Sequence, residues 1–248
     1  MSTLSFREHI KVTINKAIKN KNILFSLCGR TYGINADKRL KIYKSAIKPI
    51  ITYGWQVWFD QLTKKQIESL NSVQLSFLSH ATFAYRTTSR YCVHSLAQTL
   101  LLSDYILTLS QDKETRISFT QNKLKSYLTN CNSNFRTLFP LLEITKFKTN
   151  KHITQLLTGH GPYKTYFHKL FNYPDNRCQC SDNLNTYIQS PTHVLTQCKL
   201  FQTNRPSTLN NSCNLTKLSE DQIDKFNIYL QQTYDKFIIL NKNIIHSV

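Results

Sequence analysis

The sequence predicts a mainly α fold, in which a helical bundle is followed by a small Cys/His module and a C-terminal helix. Three observations carry this. Apolar residues recur at helical spacing in successive stretches bounded by capping and breaking residues. Cysteines and a histidine gather between Cys178 and Cys198. The stretch from Ser219 onward returns to helical periodicity. The chain's 248 residues are enough for one large domain or two smaller ones. At 40% hydrophobic and 12% aromatic it is too apolar to be disordered throughout.

The first helix is expected over residues 4–28, from the apolar series Leu4, Ile10, Ile14, Ala17, Ile18, Leu24, Phe25 and Cys28, with Gly29 as its cap. A second starts at Asp37, with Leu40, Tyr43, Ala46 and Ile47 on one face and lysines and Arg39 largely opposite, and Pro49 stops or kinks it. The run Ile50–Trp58 mixes β-branched and aromatic residues and reads equally as a buried strand or a buried helical turn. Thr63 caps a third helix whose inward stripe is Ile67, Leu70, Val73, Gln74, Phe77 and Leu78. A Leu-rich fourth helix is expected from about Arg90 through Leu109.

The polar stretch 111–135 marks a boundary between two units. The expected division is a helical region at 1–110, a connector at 111–150, a Gly-His-Gly segment with the Cys/His module at 151–205, and a polar loop with a terminal helix at 206–248. In that last helix Ile223, Phe226, Tyr229, Leu230, Phe237 and Leu240 share a face, entered by Glu220, Asp221 and Asp224, which suit a helix N-terminus.

Charge bounds the partner. Lys plus Arg number 32 against 14 Asp plus Glu, a net charge of +18. The excess is spread: residues 1–104 carry 15 basic and 5 acidic side chains, and residues 105–248 carry 17 and 9. A polyanion, nucleic acid before membrane, is the expected partner. Lys38, Arg39, Lys41 and Lys44 on one helix, Arg86 and Arg90 beside Tyr85 and Tyr91, and Arg177 and Lys199 beside the cysteines are the candidate contacts. The alternative for each is a solvated basic face with core tyrosines. No apolar run reaches the ~18–20 residues of a membrane-spanning helix, and Met1–Phe6 shows no secretory pattern. The expected location is nuclear and cytoplasmic.

Composition also narrows the chemistry. The five glycines form neither a GxGxxG nor a GxxxxGK[ST] string. There is no adjacent Asp-Asp pair, and no Ser or Cys stands in a nucleophile-elbow context. Asp104, Asp112 and Glu114 sit in polar sequence, so no catalysis by this chain is expected. His80, His94 and His160 read as structural histidines rather than bases or ligands.

Seven cysteines and no secretory signal argue for thiols or a metal site over a disulfide framework. Cys178-x-Cys180, twelve residues, then His193-x4-Cys198 is a ligand set for a closed tetrahedral site, a structural Zn2+ being the expected cofactor. The H-x4-C half has the spacing of nucleic-acid-binding zinc knuckles. Arg177 and Lys199 next to the ligands favour thiolates. The competing reading is of ordinary buried thiols and one histidine. Cys213 ranks below these four as a ligand, and Cys28, Cys92 and Cys131 have no partner at metal spacing.

Four stretches resemble a known family, the reverse transcriptases of non-LTR (LINE-type) retrotransposons. Asp37 through Trp58, with Tyr43, Pro49, Tyr53 and Gly54, is similar to the segment following the polymerase palm in those proteins. Ala84-Tyr85-Arg86-Thr87-Thr88-Ser89 resembles their next motif, A-Y-R-T-x-S. Gln155-Leu156-Leu157-Thr158-Gly159-His160-Gly161-Pro162-Tyr163 is similar to their Q-L-L-T-G-H-G-x-F. Cys178-x-Cys180, His193, Cys198, Phe201 and Arg205 match their C-terminal knuckle, with Thr192 where the family usually has Glu.

The resemblance implies the C-terminal portion of a retrotransposon RNA-directed DNA polymerase polyprotein: a helical thumb-like bundle, a connector, a CCHC zinc knuckle and a terminal helix. It implies RNA or DNA as ligand and the palm, or another element-encoded protein, as a further partner. The palm's metal-binding Asp residues have no counterpart here, and the interval between the second and third motifs matches members that lack a ribonuclease H domain. Two other expectations stand beside it: a stand-alone adapter that uses the zinc module to bind protein, and a non-functional element remnant.

Overall fold

A computed structural model describes residues 6–29, 33–139, 149–181, 186–202, 205–206 and 220–241. Helices dominate. Among the described residues no strand forms, and the only β pairing is an isolated antiparallel bridge between Arg177 and Ile188. The mainly α expectation therefore holds. The chain divides into two compact units, residues 1–130 and 131–248. Most of the Asn-rich stretch expected at 202–214, including Cys213, lies outside the described residues.

Unit 1 begins with α1 (Arg7–Leu27), which buries Ile10, Ala17 and Leu24 and ends at Cys28 in extended backbone, one residue before the expected glycine. The Asn35 side chain caps α2 (Ala36–Ile42) by accepting from Lys38 N. Pro49 does not end this helix. A five-residue π-turn, Tyr43–Ile47, precedes α3 (Lys48–Thr52), and Lys48 N bonds the Tyr43 carbonyl. Proline has no N–H to give and its ring crowds the preceding turn. A widened turn just ahead of it lets the helix run on.

The ambiguous run 50–58 is helical. It turns at Tyr53-Gly54, enters α4 (Trp55–Trp58), and Trp58 Nε1 donates to the Tyr53 carbonyl at 3.0 Å. Thr63 caps α5 (Lys64–Ala81) as expected, in a reciprocal capping box with Gln66. Leu70, Gln74, Phe77 and Leu78 are buried on it.

The end of α5 is a Schellman turn: Ala84 N donates to the Ser79 carbonyl at 2.9 Å and Phe83 N to that of His80 at 3.3 Å. Its left-handed position, usually glycine, is Phe83 at φ 59°. The Arg39 guanidinium lies 4.7 Å over the Phe83 ring, a stacking contact that offsets the backbone cost of about 1 kcal/mol.

The expected fourth helix is two. α6 (Arg90–Ala97) stops at Gln98, left-handed at φ 47°, and α7 (Leu102–Thr108) follows. Tertiary partners fix the break: Gln74 Nε2 donates to the Leu100 carbonyl, Leu101 N donates to the Tyr127 hydroxyl, and Ser103 N donates to Asn71 Oδ1. Tyr127 belongs to α8 (Lys113–Thr129), which packs on α6 and carries Tyr127 as its buried residue. So residues 113–129, expected as the start of a connector, form a helix of the first unit.

Unit 2 holds α9 (Ser133–Leu138), α10 (Lys151–Thr158), α11 (Lys164–Phe171), α12 (Pro191–Thr196) and α13 (Glu220–Leu240). α10 ends at Gly159, whose φ of +70° suits only glycine comfortably. α13 buries Ile223, Phe226, Tyr229, Leu230 and Phe237, the face expected for it, with Leu240 at its edge, and packs on α10.

Candidate metal centre

A turn closed by the isolated Arg177–Ile188 bridge and one short helix bring the four sequence-predicted ligands together. Around the turn Cys178 N donates to the Tyr187 carbonyl at 2.6 Å, Ser181 N to that of Cys178 at 3.0 Å, and Gln189 N to that of Asn176 at 2.9 Å. The Ser181 hydroxyl closes it, donating to the Tyr187 carbonyl and accepting from Tyr187 N. On the other side Ser190 caps α12 by accepting from His193 N, and Pro191 occupies the first turn, where its missing N–H costs nothing. Cys198 N donates to the His193 carbonyl at 2.9 Å, which places Cys198 just past the helix.

The result is a cluster in which the Sγ atoms of Cys178, Cys180 and Cys198 and a ring nitrogen of His193 all lie within 4.8 Å of one another. Cys178 and Cys198 Sγ are 3.6 Å apart, and Cys180 Sγ is 3.2 Å from His193 Nε2. Cys178, His193 and Cys198 are buried, and Cys180 is half-buried. Such a set can hold one metal ion. The bond to Cys198 holds the Cys178 thiol well below its ordinary pKa, and Cys198 is pushed up by the same bond. Cys180 is pushed up by burial first. A bound cation favours the thiolate at all three.

The module is tied to the rest of its unit through groups the sequence pattern does not flag. Gln189, fully buried, accepts from Lys164 N and from Asn241 Nδ2. Tyr229 donates to the Val194 carbonyl, Lys236 to that of Leu200, and Arg205 to that of Cys198. Asn134 donates to the Leu156 and Leu157 carbonyls and accepts from Thr192, at the position where the resembled family usually has Glu. Asp175 pairs with the buried Lys164 at 2.8 Å and accepts from Arg177 N, which lowers its carboxyl to about 2. No sequence signal distinguishes Gln189 or Asn241 from other polar residues.

The candidate nucleic-acid contacts are dispersed. Lys38, Lys41, Lys44 and Arg86 are exposed. Arg39 is not a surface cation: it is 1% exposed, and its guanidinium donates to the carbonyls of Ile34, Gly29 and His80 and stacks on Phe83. A phosphate has no access to it. Arg90 pairs with Glu68 through two contacts, and the exposed Arg177 and Lys199 flank the cysteine cluster, Arg177 paired with Asp175.

Lys48 joins the helix's basic side half-buried, its Nζ 3.6 Å over the Tyr105 ring; burial and then Lys44 lower its pKa to about 8. His80 stacks on Phe25 at 3.6 Å, and His94 is buried with Nδ1 2.9 Å from the Thr99 carbonyl. His160 lies tilted 5.0 Å from the Tyr166 ring. Cys28, Cys92 and Cys131 are buried thiols.

Among the described residues no helix is long and apolar enough to cross a membrane. No protein-family model, no curated protein and no solved structure matches the chain.

Proposed function

We propose that the chain is a nucleic-acid-binding C-terminal portion of a LINE-type reverse transcriptase, with Cys178, Cys180, His193 and Cys198 holding one structural zinc ion. The observation that carries the reading is the convergence of those four side chains to within 4.8 Å, at spacings that resemble the family's knuckle. Three thiolates and an imidazole are a soft donor set that suits zinc. Zinc bonds of ~2.3 Å to sulfur in a tetrahedron put sulfurs about 3.8 Å apart, close to the 3.6 Å between Cys178 and Cys198. When bound, the ion cross-links the turn at Cys178–Cys180 to the end of α12 and contributes folding energy on the order of 10 kcal/mol.

The chain's own cations do the binding. Lys38, Lys41 and Lys44 on α2 and the π-turn, with Arg86 in the loop before α6, supply phosphate contacts from unit 1. Arg177 and Lys199 supply them beside the metal centre. Phosphate neutralisation of this kind is sequence-independent and salt-sensitive. The reading assigns no catalytic step to this chain.

Two measurements test the two halves. Native mass spectrometry should find one zinc per chain, and binding to RNA or DNA should weaken with salt along a log–log slope of a few units, ~0.7–0.9 per neutralised phosphate. A chain without zinc removes the metal half, and a slope near zero removes the nucleic-acid half.

A further inference from the structure

Metal-ligating histidines ordinarily donate their second ring N–H to a carboxylate, carbonyl or water, and that bond sets the ring's orientation. His193 departs from this pattern. Its Nε2 faces Cys180 Sγ at 3.2 Å, while its buried Nδ1 finds no hydrogen-bond partner among the described residues. What touches the ring is Tyr187, stacked on it with centroids 5.0 Å apart and planes 16° from parallel.

We propose that Tyr187 is the positioning residue of the metal centre: its ring, stacked on His193, holds the imidazole at the angle that presents Nε2 to the metal. The inference rests on the metal reading above. The backbones at both ends of the stack are already fixed. Tyr187 N and O are held by Ser181 and Cys178, and His193 N is held by the Ser190 cap.

The freedom that remains lies in the two side-chain torsions, and the softer one is rotation of the imidazole about its Cβ–Cγ bond, a broad sp³–sp² torsion with no steep well of its own. A parallel aromatic face restricts that torsion without donating or accepting a proton. Among the described residues the hydrogen bonds of Tyr187 run through its backbone, so replacing the side chain leaves the turn's own bonds in place.

The test uses the full chain with zinc, measured by competition against a chromophoric chelator, and with cobalt(II), whose visible ligand-field bands report the geometry of the donor set. Tyr187→Phe should bind zinc within about 2-fold of the wild type, since the stacking face is kept. Tyr187→Leu should weaken zinc about 3–10-fold, the worth of an aromatic contact, and shift the cobalt bands, while the melting temperature of the metal-free protein stays put. Leu binding as tightly as wild type, with unchanged cobalt bands, overturns the proposal, as does a Phe variant that loses as much as Leu. A wild-type chain that takes up no zinc overturns the metal reading, and this inference falls with it.

Discussion

A methyl group on Gly161 would sit 2.9 Å from Tyr163 Cε2 and 3.2 Å from Gln155 Cβ, and both neighbours are buried. At Gly159, two residues earlier, the nearest atom would be 3.7 Å away, but the backbone is left-handed. The two glycines of one tetrapeptide therefore resist substitution for different reasons, a collision and a torsion. Gly161→Ala should cost about 2–3 kcal/mol, as overpacking does, and Gly159→Ala about 1 kcal/mol, read as urea midpoints at constant slope.

Residues of this kind set the limit of what the sequence conveys. The clustering of Cys178, Cys180, His193 and Cys198 was legible because a metal site needs particular atoms at particular spacings. Arg39 was not, because its partners are carbonyls of Gly29, Ile34 and His80, and any residue could supply those. An arginine opposite an apolar stripe reads as solvated until the chain that wraps over it is seen.

Within α6, His94 combines full burial with a neutral ring. Its Nδ1–H donates to the Thr99 carbonyl, and burial above all, with Arg90 adding to it against Asp104, lowers its pKa to about 4. The unfolded chain titrates near the ordinary value of ~6.5. A folded pKa below the unfolded one means the unfolded state binds the proton first. The contribution is thus complete above about pH 6.5 and is lost as pH falls toward 4, by about 3 kcal/mol. Unfolding measured at pH 7 and 4.5 should show this loss in the wild type and a smaller one in His94→Asn.

Periodicity gave α1, α5 and α13 because each buries a continuous stripe. It joined α6 to α7 because Gln98 carries no breaker signal and the bonds that part the helices come from Asn71, Gln74 and Tyr127, distant in sequence. It also read Pro49 as stopping or kinking the second helix, where a π-turn lets the helix run on. α8 read as a linker because only Tyr127 on it is buried.

On the scale of the whole chain the two units differ in what holds them. Unit 1 has a continuous apolar core that runs from Ile10 through Tyr43 and Phe77 to Ile106. In unit 2 the Cys/His module is seated by Gln189, Tyr229 and Asn241, so loss of the ion should loosen that unit selectively. Hydrogen exchange after chelation should show lost protection in α10, α12 and α13 and retained protection in α1, α5 and α6. Equal loss in both units would contradict this. The partition into two units was legible in the polar stretch at 111–135, but its position was set by Tyr127, whose hydroxyl bonds Leu101 N and Asp104 and binds α8 to the first unit.

Asn241 has a consequence for synthesis. Its side chain bonds Gln189, 52 residues earlier, and the Pro162 carbonyl, 79 residues earlier. At typical elongation rates the interval between making Gln189 and making Asn241 is about 3–10 s. Once Cys198 has been added, nine residues after Gln189, the Cys/His module is complete in sequence while the amide that seats it has not yet been made. A nascent chain in that interval can hold the turn together only through its own short-range bonds and whatever ion the four ligands have captured.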